Sequence, residues 1–143
     1  MIYLDTSALI KQVRLEAESA DLADWLDERH EMPLITSVLA EIELARAIRA
    51  VAPEGLPFVA SVLARLNRFE IDALIRETAA AYPDPSLRSL DAIHLATAQR
   101  ASAELSLTAF VTYDRRLAAA AQTLGFTTVA PGRSEQRSSR LSR

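Results

Sequence analysis

The chain has 143 residues, half of them hydrophobic and 24% charged, with a formal net charge of −3, which suits one domain with a single buried core. It has no cysteine, which excludes disulfides, cysteine nucleophiles and thiolate metal sites and makes a reducing compartment the simple reading. Three scattered glycines (Gly55, Gly125, Gly132) form neither a phosphate-cradling loop nor a dinucleotide-binding turn, and two histidines (His30, His94) are too few for a multi-histidine metal site. What remains for chemistry is nineteen carboxylates.

In chain order, Ile2-Tyr3-Leu4 reads as a short strand halted at Asp5, with Thr6-Ser7 as helix-capping residues. Helices are expected over residues 8–13 and 16–29, the second carrying Leu22, Trp25 and Leu26 on one face. Pro33-Leu34-Ile35 is a second strand, after which Thr36-Ser37 again caps an amphipathic helix, residues 38–52. Pro53-Glu54-Gly55-Leu56-Pro57 breaks the chain. Residues 58–66 are helical, 69–71 a short strand and 74–82 helical again. Beyond the loop Pro83-Asp84-Pro85-Ser86, a helix runs from Leu87 to about Ser102. Ala109-Phe110-Val111-Thr112 is the strongest strand, residues 115–124 a helix ended by Gly125, and Thr127-Thr128-Val129 the last strand. Strands alternating with helices through short turns predict a three-layer α/β/α sandwich with a mostly parallel central sheet.

The cations are lopsided: fifteen arginines and a single lysine, Lys11. Residues 133–143 carry four arginines and one glutamate, net +3, so residues 1–132 carry −3 − 3 = −6. The expected organisation is a folded domain over 1–132 and a basic, unfolded tail over 133–143. The N-terminus has no basic leader pattern, and no uncharged stretch approaches the ~18 residues of a membrane span. A soluble cytoplasmic protein is the expectation.

In an open parallel sheet, ligands bind beyond the carboxyl ends of the strands. Asp5 is the first residue past strand one, and Asp114 lies two residues past the strongest strand, so both belong to one rim. Asp91 is bordered by Leu90 and Ile93, with Leu87, His94 and Leu95 one turn away. A carboxylate beside an apolar face is costly unless it is paired or ligates a metal. The competing role for Asp91 is interaction with the helix dipole, worth ~0.3–1 kcal/mol. Glu41 and Glu43 are two residues apart, about 200° around a helix, so only one of them can face a shared site. Periodicity does not choose between them. Carboxylates converging on one rim repel unless a cation neutralises them. With oxygen donors alone, that cation should be hard, Mg²⁺ or Mn²⁺. The chemistry this donor set suits is hydrolysis of a phosphodiester.

The sequence resembles a PIN domain, more narrowly the VapC-type toxin ribonucleases of bacterial type II toxin–antitoxin pairs. Four segments carry the likeness: residues 2–9 (IYLDTSAL), Thr36-Ser37 through Glu43-Leu44-Ala45-Arg46-Ala47, residues 90–98 (LDAIHLATA), and residues 110–117 (FVTYDRRL) with Ala120-Ala121 and Pro131-Gly132. Together they reach across residues 1–132. The resemblance places the family's acidic quartet on Asp5, Glu43, Asp91 and Asp114, and selects Glu43 over Glu41 because Arg46-Ala47 follows it at the family's spacing. It implies Asp5 and Asp91 as principal ligands of Mg²⁺ or Mn²⁺, with Asp114 and Glu43 completing the cluster directly or through water.

On the same basis Thr6, Ser7 and Thr112 would hydrogen-bond the ligand carboxylates, and Arg115 and Arg116 would contact RNA phosphates. A cognate VapB-like antitoxin, an RNA substrate and a homodimer are further implications. His94 reads as a hydrogen-bonded core residue rather than a general base. A receiver-type phosphoacceptor module would need a lysine near its last strand, and a haloacid-dehalogenase-type phosphatase an Asp-x-Asp at strand one; neither is present. The serious rival is a non-catalytic PIN-like module that binds RNA or protein.

Overall fold

The computed structural model describes residues 1–134. The basic tail expected over 133–143 therefore lies, except for its first two residues, outside the described residues. Five strands, β1 (Ile2–Leu4), β2 (Leu34–Ser37), β3 (Asn67–Phe69), β4 (Ala109–Val111) and β5 (Thr128–Val129), form one sheet in the order β3-β2-β1-β4-β5. Every pairing is parallel. Seven α-helices connect or follow them among the described residues: α1 (Thr6–Val13), α2 (Ser19–Asp27), α3 (Leu39–Val51), α4 (Leu56–Ala64), α5 (Ala73–Ala81), α6 (Ser89–Ser102) and α7 (Arg115–Thr123).

Alternation along β1 separates the two faces of the sheet. Ile2 and Leu4 join Val111 and the apolar residues of α1–α4, including Leu9, Leu22, Leu44, Ile48 and Val62. Tyr3 points the other way, with Ile35 and Phe110, into a second core completed by Leu95 and Ala98 of α6 and Leu117 and Ala121 of α7. All three β1 residues are fully buried, as expected of a central parallel strand covered on both sides. The expected α/β/α layering is what the chain forms, and its sheet is wholly parallel.

Local boundaries differ in three instructive places. Thr36 and Ser37 continue β2 instead of capping α3, because Thr36 pairs with Arg68 and Ser37 with Phe69 across to β3. Ser37 still accepts a hydrogen bond from the Leu39 amide at 3.1 Å, so it ends the strand and begins the turn. The third strand is Asn67–Phe69 rather than 69–71; its first two residues are polar and exposed, which hid it from a hydrophobicity reading. At α1 the cap is Asp5, whose Oδ1 accepts from the Ala8 amide at 3.0 Å, while the hydroxyls of Thr6 and Ser7 are turned to other tasks.

Candidate active site

The sequence runs outward from β1 through β2 to β3, then returns to place β4 on the other side of β1. The strand order thus reverses between β1 and β4, and the crevice beyond their carboxyl ends is where an open α/β sheet binds its ligand. Leu4 pairs with Val111, so Asp5 and Thr112 leave the sheet side by side. Thr112 Oγ1 donates to Asp5 Oδ2 at 2.6 Å, and Ser7 Oγ donates to Asp5 Oδ1 at 2.7 Å. With the Ala8 amide, three donors hold one carboxylate that is only 3% exposed. Burial nevertheless dominates and pushes the Asp5 carboxyl above its ordinary range, against the lowering pull of His94 and these donors. The same two hydroxyls reach the opposite strand end. Ser7 Oγ accepts from the Tyr113 amide at 2.9 Å, and Thr112 Oγ1 accepts from the Asp114 amide at 3.1 Å.

Glu43 enters from α3. Its Oε1 accepts from Thr6 Oγ1 at 2.8 Å and pairs with His94 Nε2 at 2.7 Å. Burial raises this carboxyl, but the hydrogen bonds from His94 and Thr6 outweigh it, leaving Glu43 below the usual glutamate range. His94 is 2% exposed, and its other nitrogen, Nδ1, meets the Tyr3 hydroxyl at 2.6 Å. Glu41 is exposed on another side of α3 and pairs with Arg68 at 2.7 Å, so it is Glu43 that meets Thr6 and His94.

Asp91 sits in the first turn of α6, half-buried, and no donor among the described residues hydrogen-bonds its carboxylate. Burial first, then the negative charge of Asp114, raise its carboxyl; Asp5 and Glu43 add to the rise and His94 opposes it. Asp91 therefore feels the charge of the other three acids. Asp114 is exposed and caps α7, its Oδ1 accepting from the amides of Arg116 and Leu117 at 2.9 and 3.2 Å. Arg115 and Arg116 occupy the first turn of α7 and are exposed. Arg115 lines a shallow cavity of about 280 Å³ with Thr112, Gln122, Thr128 and Arg133.

Comparison with known proteins was decisive. A family model described as the PIN domain matches residues 2–122. The chain belongs to the PIN-domain family. Within it, the chain is of the VapC type: it is 69% identical over 132 residues to Ribonuclease VapC35 of Mycobacterium tuberculosis strain H37Rv, covering 92% of this chain and 98% of the relative. Ribonuclease VapC46 of the same strain is 39% identical over 130 residues, 91% and 97% of the two chains. Ribonuclease VapC47 of M. tuberculosis strain CDC 1551 is 38% identical over 135 residues, 92% and 98%.

PIN-domain ribonucleases generally depend on a divalent metal, and the donor chemistry fits such an ion. The four groups are all carboxylates, and the ion pairs of Lys11, Arg29, Arg68 and Arg100 are made with other acids. The like-charge rise at Asp91 is the strain that a hard cation relieves. As the side chains stand, no three His, Asp or Glu among the described residues come close enough to hold an ion.

The reading from sequence missed Tyr3 altogether and saw in His94 only a hydrogen-bonded core residue. His94 is buried and hydrogen-bonded, and its partner is Glu43, one of the four candidate acids. One signal was available: His94 follows Asp91 by three residues, which puts both on one helix face.

Proposed function

We propose that this chain is an endoribonuclease, the toxin of a toxin–antitoxin pair, which hydrolyses RNA phosphodiester bonds with Mg²⁺ or Mn²⁺ and water. The observation that carries the reading is Asp91, whose carboxyl feels the charge of Asp114, Asp5 and Glu43 at the β1–β4 end of a PIN fold. The names of the 38–69% identical relatives as ribonucleases support the substrate class. Bound at the quartet, a divalent cation supplies Lewis acidity that makes water nucleophilic at neutral pH and offsets charge building on the phosphoryl oxygens.

The protein's part is to prepare that site. Asp5 and Asp91 are the principal ligands, with Glu43 and Asp114 completing the charge of the cluster. Ser7 and Thr112 hold Asp5 by both oxygens, and Thr6 holds Glu43, which fixes ligand orientation before a cation arrives. Arg115 and Arg116, which follow Asp114 in the first turn of α7, contact the RNA backbone. No side chain need act as nucleophile.

A VapB-like antitoxin and a second copy of the chain are the proposed protein partners, acting in the cytoplasm. Ile42 and Val51 on α3 and Phe58 on α4, 54–61% exposed, are apolar positions that such partners would cover. The deciding experiment incubates RNA with purified protein in Mn²⁺. Cleavage by the wild type, abolished by EDTA and absent from a folded Asp5→Asn variant, is expected. RNA bound tightly but left intact with either metal would make the chain a non-catalytic binding module instead.

A further inference from the structure

Glu43 is held in an unusual way for a glutamate at a helix surface. Both of its described donors, Thr6 Oγ1 and His94 Nε2, converge on Oε1, and no donor among the described residues reaches Oε2. An ionised carboxylate only accepts, so the 2.7 Å contact requires a hydrogen on Nε2. The tautomer of a histidine is then set by what its other nitrogen meets. Here that is the Tyr3 hydroxyl, 2.6 Å from Nδ1. A phenol carries a hydrogen to give, so Tyr3 can be the donor in this contact. The neighbouring hydroxyls of Thr36 and Thr97 spend their hydrogens on the carbonyls of Leu4 and Ile93, each at 2.7 Å.

We propose that Tyr3 and His94 are positioning residues, forming a one-way relay, Tyr3 O–H to His94 Nδ1 and His94 Nε2–H to Glu43 Oε1, that fixes Glu43 and reserves its Oε2 for the acidic site. The proposal rests on the reading of Glu43 as part of that site. The relay starts from a rigid base. Tyr3 is fully buried, stacks on Phe110 with ring centres 4.9 Å apart, and meets the His94 ring edge-on at 5.8 Å. It also joins the two layers of the fold at the crevice, since Tyr3 and α6 pack on one face of the sheet and α3 on the other. The ring of His94 is inaccessible to substrate, with both nitrogens engaged inside the protein, so it is no general base. Histidine suits the post because a flat ring offers an acceptor and a donor at opposite corners.

The test has two parts. In the metal-free wild type, imidazole ¹⁵N shifts should report a hydrogen on Nε2 alone; a ring protonated at Nδ1 overturns the relay. Mn²⁺ binding and RNA cleavage are then measured for His94→Leu, His94→Gln and Tyr3→Phe. The leucine variant should lose about 10–100-fold in metal affinity, the scale seen when ligand-orienting partners are removed. Glutamine, which retains an N–H for Glu43, should recover most of that loss, and Tyr3→Phe should show a smaller one. Equal Mn²⁺ affinity in all three variants and the wild type would reduce the network to packing and sink the proposal. If the wild type neither binds Mn²⁺ nor cleaves RNA, the function proposed above fails. The relay is then judged on the tautomer and on the Glu43 carboxyl ¹³C signal, which must move in His94→Leu.

Discussion

Asp91 concentrates the conflict at the residue scale between what the fold wants and what a charged site needs. Its carboxyl is raised by burial and by the charge of Asp114, Asp5 and Glu43, so in the metal-free protein its ionised form is disfavoured relative to the unfolded chain. The native state therefore binds that proton more tightly than the unfolded state, and stability falls as pH rises from the ordinary aspartate range through the raised one. Asp91→Asn removes this liability. It should raise the melting temperature of metal-free protein by a few degrees at neutral pH, the scale on which ~0.5–1 kcal/mol registers in a domain of this size, while abolishing RNA cleavage. The gain should shrink as pH falls through the raised range and vanish well below the ordinary aspartate value of 3.8, where both states hold the proton; a variant equally stabilised at every pH would show the cause to be something other than charge.

Glu41 and Glu43 make a second contrast at this scale. Glu43→Gln should eliminate most Mn²⁺ binding in calorimetry, whereas Glu41→Gln, which disturbs only an exposed pair with Arg68, should leave binding within about twofold and stability within ~0.5 kcal/mol. Asp5, Asp91 and Asp114 stood out as candidates in the sequence by strand end or apolar surroundings, whereas Glu43 was preferred to Glu41 only through the family resemblance. Tyr3 and His94 were not, because their role exists only where β1, α3 and α6 meet. Nothing in the local pattern of Ile2-Tyr3-Leu4 distinguishes a core tyrosine from one that orients a histidine.

Elements were predicted well wherever hydrophobic periodicity was strong and poorly where polar pairing decided the end. β1, β4 and the long helices α3 and α6 emerge within two residues of expectation, whereas Thr36-Ser37 belong to a strand because β3 is there to pair with them. Asp5 shows how an element end becomes a site: one carboxylate caps α1, takes the hydroxyl of Thr112 from the neighbouring strand end, and remains at the crevice. The chain closes this region with a turn at Pro131-Gly132. Tyr113 Oη donates to the Pro131 carbonyl at 2.7 Å, and Gly132 has φ +88° beside α2. A Cβ there would lie 2.7 Å from Asp21 Oδ2 and 3.2 Å from Glu18 Cα. Gly125 has a similar φ, +87°, with open space around it. Gly125→Ala should therefore lose only the left-handed backbone term, ~1–2 kcal/mol, and Gly132→Ala that much plus the displacement of Asp21. Urea denaturation comparing the two isolates the contact, and equal losses would mean the turn does not press on α2.

At the scale of the whole molecule, the net charge of −3 hides an uneven distribution, −6 over residues 1–132 against +3 beyond. The parallel sheet was legible from the alternation of strands and helices. The reversal of strand order between β1 and β4 was not, because sequence order does not state which strands become neighbours. That reversal brings the ends of β1 and β4, with Asp5 and Asp114 109 positions apart in the chain, to one crevice, and on the proposed function cation binding there would be a property of the folded state alone. A ligand that binds only the folded form stabilises it by mass action, ~2.7 kcal/mol at one hundred times its dissociation constant. Saturating Mn²⁺ should accordingly raise the melting temperature by several degrees, and EDTA should reverse the shift. Protons compete for the same oxygens, and the Asp5 and Asp91 carboxyls are both raised. The Mn²⁺-induced shift should therefore be full at pH 8, decline as pH falls through the raised carboxyl range, and vanish in acid. In Asp91→Asn it should be small at every pH. A wild-type shift independent of pH would place the ion at surface groups other than this quartet, and no shift at any Mn²⁺ concentration would remove the metal from the proposed reaction.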